Sequence, residues 1–198
     1  GPYQFVNWQA GQQINLKRFE GYWGTKPQVE AAKFIWRNES SVAAAMVAVG
    51  EADLAPSISR EDANNAGMDV SYPNAETVRL RIDANREPLS DRRLREALNL
   101  AVDRKALLGT VFSKDVQIAT QLVGPGVNGY NPDIPQWPFD PERAKALLKA
   151  ARDEGVPVDR EITIISRKGV YPNSAESMEA VMGMLKAVGF NIKLLIQD

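Results

Sequence analysis

The sequence predicts an α/β protein. Two observations carry this. Segments with strand-like alternation are followed by segments with helical periodicity, and the order repeats along the chain. Glycine closes several helical segments, at Gly50, Gly67 and Gly189, with an extended segment after each. The sequence shows no repeat and no clean linker dividing residues 1–198, a length that suits one globular domain or two small ones.

In order, "QQINLKRF" places Ile14, Leu16 and Phe19 as a half-buried strand would. "GYWGTKP" is a turn, and its Tyr22 and Trp23 are expected to pack into the core. "AAKFIWR" is a second strand. From Ser40 a helix should bury Val42, Ala45, Met46 and Val49, with Asn38 or Ser40 as its cap. Ser59 can cap a short helix ending at Gly67, followed by a strand at "MDVSY". In "PLSDRRLREALNLAVDR", Ser90 can cap a helix that buries Leu94, Leu98, Ala101 and Val102. Asp91–Arg95 and Arg92–Glu96 would be surface pairs. Asp103 can cap a further helix, Arg104 to Leu108. "QLVGPGVNGYNPDIPQWP" carries four prolines and three glycines and reads as an ordered surface loop. Asp140, with Pro141 in the first position, opens a helix burying Ala144, Leu147, Leu148 and Ala151. "EITIIS" reads as a buried strand. Asn173 with Glu176 forms a capping box for a helix burying Met178, Val181, Met182, Leu185 and Val188. "FNIKLLI" is the last strand.

Composition narrows the function. The 198 residues hold 24 basic and 25 acidic side chains, a net charge of -1. A polyanion binder carries a basic excess, so no nucleic-acid partner is expected. Histidine and cysteine are absent. A Ser-His-Asp triad, a thiol nucleophile and a His- or Cys-rich zinc site are therefore excluded. No cofactor and no metal is expected. "GPGVNG" matches G-x-G-x-x-G, but the prolines of "YNPDIPQWP" forbid the helix that a dinucleotide site needs after it. "NES" at Asn38 is a nominal glycosylation acceptor and is better read as helix entry. No apolar run reaches the length of a membrane span. The opening "GPYQF", without a starting Met or a signal peptide, predicts a cut N-terminus.

Several segments carry a resemblance. "REPLSDRRLREALNLAVDRKALL" resembles the signature of the family 5 extracellular solute-binding proteins, the peptide, dipeptide and nickel-type binding components of ABC importers. Asn85, Pro88, Asp91, Arg93, Arg95, Ala97, Ala101, Asp103 and Arg104 match its pattern, and Glu87 departs from it. "GPYQFVNWQAGQQINLKRFEGYWG", "AMVAVGEADLAP", "FDPERAKALLKAA" and "VGFNIKL" resemble further family segments in the same order. The resemblance spans essentially all residues.

It implies one lobe of a type II periplasmic-binding-protein-like fold, a mixed sheet flanked by helices, within a longer two-lobed protein. It also implies capture of a peptide, or of a sugar or opine, outside the cytoplasmic membrane. Delivery would be to the transmembrane permease of an ABC importer. A periplasmic or extracellular monomer is expected, membrane-anchored in its full-length form, with no catalysis. Direct metal capture is disfavoured without histidine.

Ligands of α/β sheets bind beyond the carboxyl ends of strands, near helix N-termini. "SRKGVYPNSAE" lies in that place, and the matching loop of the peptide-binding relatives touches ligand. Tyr171, Asn173 and Ser174, with Arg167 next, are the expected ligand-binding residues. The blander reading is that Asn173 only caps and Tyr171 only packs. The alternative function is a carboxylate-dependent hydrolase domain. Glu51 and Asp53 lie two apart in an expected strand and would share one face.

Overall fold

The computed structural model describes residues 1–59, 61–65, 67–70, 72 and 75–197. The chain divides into two compact units, Gly1–Ile58 and Ser59–Asp198.

The first unit holds an antiparallel sheet in the order β1 (Tyr3–Gln9), β2 (Gln13–Arg18), β3 (Ala31–Ile35). Trp8, Ile14 and Phe34 stand opposite one another, as do Phe5, Leu16 and Ala32. Phe5 and Trp8 are three apart and would ordinarily face opposite ways. A register shift between Phe5 and Asn7 returns both to the apolar face. That face is open in this chain, with Phe5, Trp8 and Phe34 each about 60% exposed.

Arg18 organises the excursion between β2 and β3. Its guanidinium reaches Glu20 at 2.8 Å, Glu30 at 3.4 Å and the Pro27 carbonyl at 3.3 Å. The Arg18 hydrogen bond, seconded by Lys26, draws the Glu20 carboxyl down to about 2. Trp23 is 91% exposed, and Tyr22, half-buried, lies tilted at 46° to it with centroids 5.2 Å apart. The expectation that Trp23 fills a core is wrong, while Tyr22 is partly covered. The turn projects the indole outward, where its only ring partner among the described residues is its neighbour.

Helix α1 (Ser40–Ala48) forms where expected. Its half-buried apolar residues are Ala43, Ala44, Met46 and Val47, while Val42, Ala45 and Val49 are exposed. The segment "SVAAAMVAV" is apolar on every side, so periodicity cannot select the inward face. The N-cap is Glu39, with no side-chain cap bond, rather than Asn38 or Ser40. At its other end Gly50 is at φ 78°. The amides of Gly50 and Glu51 donate to the carbonyls of Val47 and Met46, the Schellman pattern expected of this glycine.

In the second unit α2 (Arg92–Leu100) packs on α3 (Pro141–Asp153), and α4 (Ser174–Ala187) packs on β4 (Ile162–Arg167) and β5 (Ile192–Gln197). The described side chains that are both apolar and buried all lie in this unit. Leu94, Ala97, Leu100 and Ala101 meet Ala144, Leu148, Ala151 and Val158 in one core. Small residues on both helices let the backbones approach closely. The Asp140 amide donates to the Leu100 carbonyl at 2.9 Å, and Arg93 reaches Glu154 at 2.8 Å. With Glu96–Arg143 these ties hold the helices antiparallel.

Asp91, not Ser90, is the N-cap of α2. Its carboxylate accepts from the Arg93 amide at 2.7 Å and from the Arg93 guanidinium at 2.8 Å. The expected i to i+4 pairs give way to Asp91–Arg93 and Glu96–Arg143. Leu98 and Val102 are partly buried, and Ala97 and Leu100 take the deepest places. Asp103 does accept from the Lys105 and Ala106 amides, but residues 104–107 form turns and Leu108 an isolated bridge to Phe112, rather than a helix. Asp140 caps α3 by accepting from Arg143, with Pro141 in the first turn, as expected.

Other expectations need correction. Ser59 accepts from the Asp62 amide, yet no described residue from 59 to 67 is helical. Residues 60 and 66 lie outside the described set. Of "MDVSY", Ser71 lies outside that set too, and the other four residues form no strand. Neither segment has enough apolar period to be held without tertiary support. "EITIIS" is buried only at Ile164, and Ile165 is 60% exposed, so β4 is covered on one face. β4 and β5 pair in parallel, Ile162 with Ile192 through Arg167 with Gln197. Parallel and antiparallel pairs both occur, but in separate sheets rather than in one mixed sheet.

Candidate functional site

The corner between β4 and α4 holds all four expected residues. Parallel pairing needs a crossover, and α4 supplies it, so the β4 carboxyl end faces the loop that enters α4. The Lys168 amide donates to the Gln197 carbonyl at 2.9 Å and extends the pairing one step. The loop then turns through Gly169 at φ 68° and reaches Asn173.

Within the corner most polar groups look inward. The Ser174 hydroxyl donates to the Arg167 carbonyl at 3.1 Å, and Ser174 is buried. The Ser177 hydroxyl donates to the Ser174 carbonyl at 2.9 Å and lies 3.1 Å from the Tyr171 hydroxyl. The Tyr171 ring stands 6.2 Å from that of Phe112. These contacts close the loop from inside, which agrees with packing for Tyr171 and leaves Ser174 enclosed. The Arg167 side chain is exposed at the end of its strand.

Asn173 occupies the N-cap position but does not cap. Its backbone is left-handed, φ 58° and ψ 33°, and its side chain accepts no helix amide. An N-cap side chain reaches its helix from extended backbone, and the left-handed conformation turns it away. Its amide nitrogen instead donates to the Val111 carbonyl at 2.9 Å and to Glu61 at 3.4 Å. The expected capping box is therefore absent. Val111, Phe112 and Glu61 escaped sequence reasoning, since each lies far from the loop along the chain and none belongs to a pattern with it.

The expected carboxylate pair is not assembled. Glu51 and Asp53 are exposed residues of a bend after α1, not of a strand, so no shared face aligns them. The Glu51 and Ala52 amides both donate to the Met46 carbonyl, which fixes the bend as part of the helix end. Among the described residues, no three His, Cys, Asp or Glu side chains are placed to hold a metal. Open concavities among the described residues include one within each unit. One is lined by Arg18, Phe19, Glu20 and Glu30, the other by Glu179, Met182, Ile192 and Leu194.

The whole chain, residues 1–198, matches the family described as bacterial extracellular solute-binding proteins, family 5 Middle, and belongs to it. It is 31% identical to the dipeptide-binding protein of Escherichia coli (strain K12), with 100% of this chain and 38% of that protein aligned. It is 28% identical to the glutathione-binding protein GsiB of Salmonella paratyphi A, with 100% and 39% covered. The solved NikA of Brucella suis in complex with Fe(III)-EDTA superposes with a TM-score of 0.80 at 25% identity, over 100% of this chain and 43% of that one. The chain thus spans roughly two fifths of the length of the curated relatives it matches. The α/β fold expected from the sequence, that of a type II periplasmic binding protein in part, is the one found.

Proposed function

We propose that this chain is part of the solute-binding component of an ABC importer, working outside the cytoplasmic membrane and handing its solute to the permease. The observation that carries the reading is the family match over residues 1–198, joined to relatives named for dipeptide and glutathione binding. Both named ligands are peptides with free carboxylates, and we read the solute as a short peptide. The protein acts as a monomer and performs no chemistry. Solute binding shifts an open–closed equilibrium, and the permease recognises the closed form.

At the β4–α4 corner Arg167 is the contact residue in this reading. It is an exposed guanidinium at the carboxyl end of a strand, able to hold a carboxylate through two parallel hydrogen bonds. Tyr171 and Asn173 form the rim, and buried Ser174 fixes the loop to its strand from beneath. Closure requires the rest of the polypeptide, so the 198-residue chain alone binds weakly.

The test is calorimetric titration of the intact polypeptide with a dipeptide set. Arg167→Ala should weaken binding about tenfold or more, the loss of a charge-assisted contact. Arg167→Lys should recover only part of it. Unchanged affinity in Arg167→Ala would remove the corner from the site. Absence of binding across dipeptides and glutathione would remove the peptide reading itself. The hydrolase alternative finds no support, since its two carboxylates share no face.

A further inference from the structure

We propose that Asn173 is a positioning residue: its side-chain amide clamps the Leu107–Phe112 turn to the loop before α4, so that the two loops order together. The proposal rests on the reading that this loop faces the solute. Three observations carry it.

First, Asn173 has the unusual backbone of a residue serving something other than its own helix, φ 58° at an N-cap position. Asparagine tolerates this conformation, while most side chains meet the following carbonyl. Second, the partner is itself built. The Val111 and Phe112 amides donate to the Leu107 carbonyl at 3.1 and 2.9 Å, and the Gly109 amide donates to the Phe112 carbonyl at 2.7 Å. Leu107 is buried in the core, which fixes the turn that presents the Val111 carbonyl. Third, a second tie runs beside the first. Phe112 stands against Tyr171, and the Tyr171 hydroxyl meets Ser177 on α4. A break at Asn173 therefore loosens both loops, with Tyr171 between them.

The donor and the backbone preference can be separated. Asn173→Gly keeps the left-handed backbone comfortable and removes the donor. Asn173→Asp also tolerates that backbone, but sets a carboxylate oxygen against the Val111 carbonyl. Both variants should fold. Amide exchange, measured on the intact ligand-free polypeptide, should speed up by about tenfold at Gly109, Val111, Phe112 and Ser174 in both, with Asn173→Asp at least as fast as Asn173→Gly. Dipeptide affinity, probed with Ala-Ala, should fall in parallel.

Exchange that stays within about twofold of the unmodified protein in Asn173→Asp overturns the clamp. Faster exchange with unchanged affinity overturns its link to binding. If the unmodified protein binds no peptide at all, the peptide reading falls while faster exchange still supports the clamp.

Discussion

Asp91 does two jobs with one carboxylate: it caps α2 and pairs with Arg93. The Arg93 guanidinium is the main reason its carboxyl is held below the usual aspartate range, with the backbone amide helping and partial burial opposing. The folded value lies below the unfolded one, so the folded state binds fewer protons. The resulting stability is present in full above the unfolded value and is lost as pH falls through the lower folded value. Asparagine would keep the cap and lose the charge. Asp91→Asn should therefore flatten the acid limb of a plot of urea midpoint against pH, below pH about 4, and change the neutral midpoint little more than a lost surface pair would. An unchanged acid limb would show that the pair contributes nothing. Arg104 illustrates the opposite balance. Burial pushes its guanidinium down from the usual range, and its donors go to the Asn99 and Val102 carbonyls and the Asn99 side chain, the free carbonyl end of α2. The Asp, Arg and Arg positions of the family pattern thus close the two ends of one helix, and none need touch a solute.

At the scale of elements, α2 and α3 show what patterning can settle. Each has a cap with a side-chain acceptor, a narrow apolar stripe and charged residues elsewhere, and each was legible in the sequence as a helix, with the cap read correctly for α3 and one residue early for α2. Leu94 is fully buried where these helices meet. Leu94→Ala should cost about 2–5 kcal/mol, read from chemical unfolding, with the loss set by how far the helices can collapse into the gap. A loss under ~1 kcal/mol would mean that the pair repacks freely. α1 shows the limit of the method, because with apolar residues on every side the pattern fixes a helix but not its inward face. β4 shows another. "ITII" reads as buried from both sides, yet period alone does not say whether a second layer exists. The candidate corner was legible in place but not in detail. The strand-to-helix rule located residues 167–174. The reach of Asn173 to Val111 was not legible, since a long-range contact leaves no local spacing.

For the whole molecule, the decisive contrast is between the two units. The second has a continuous core running from Leu94 to Ile192. The first has no buried apolar side chain among its described residues, and its sheet leaves one face open. A three-stranded sheet without a covered face is marginal in water. In the 198-residue chain, backbone amides of β2 should exchange by local opening orders of magnitude faster than those of α2 or α4, even though all are hydrogen-bonded. Mass-resolved exchange decides it, and equal protection in β2 and α4 would show that the first unit is stabilised by more than its own residues.

The aromatic exposure also has an optical consequence. The chain has four tryptophans, Trp8, Trp23, Trp36 and Trp137, and each is at least 45% exposed. None belongs to the core that holds the second unit together. Melting that core should barely shift the emission maximum, since these indoles already face solvent in the folded state. A blue shift would instead signal that something has come to rest against the Trp8 row or the Trp23 turn. The intrinsic fluorescence of this protein is thus a gauge of what covers it rather than of whether it is folded.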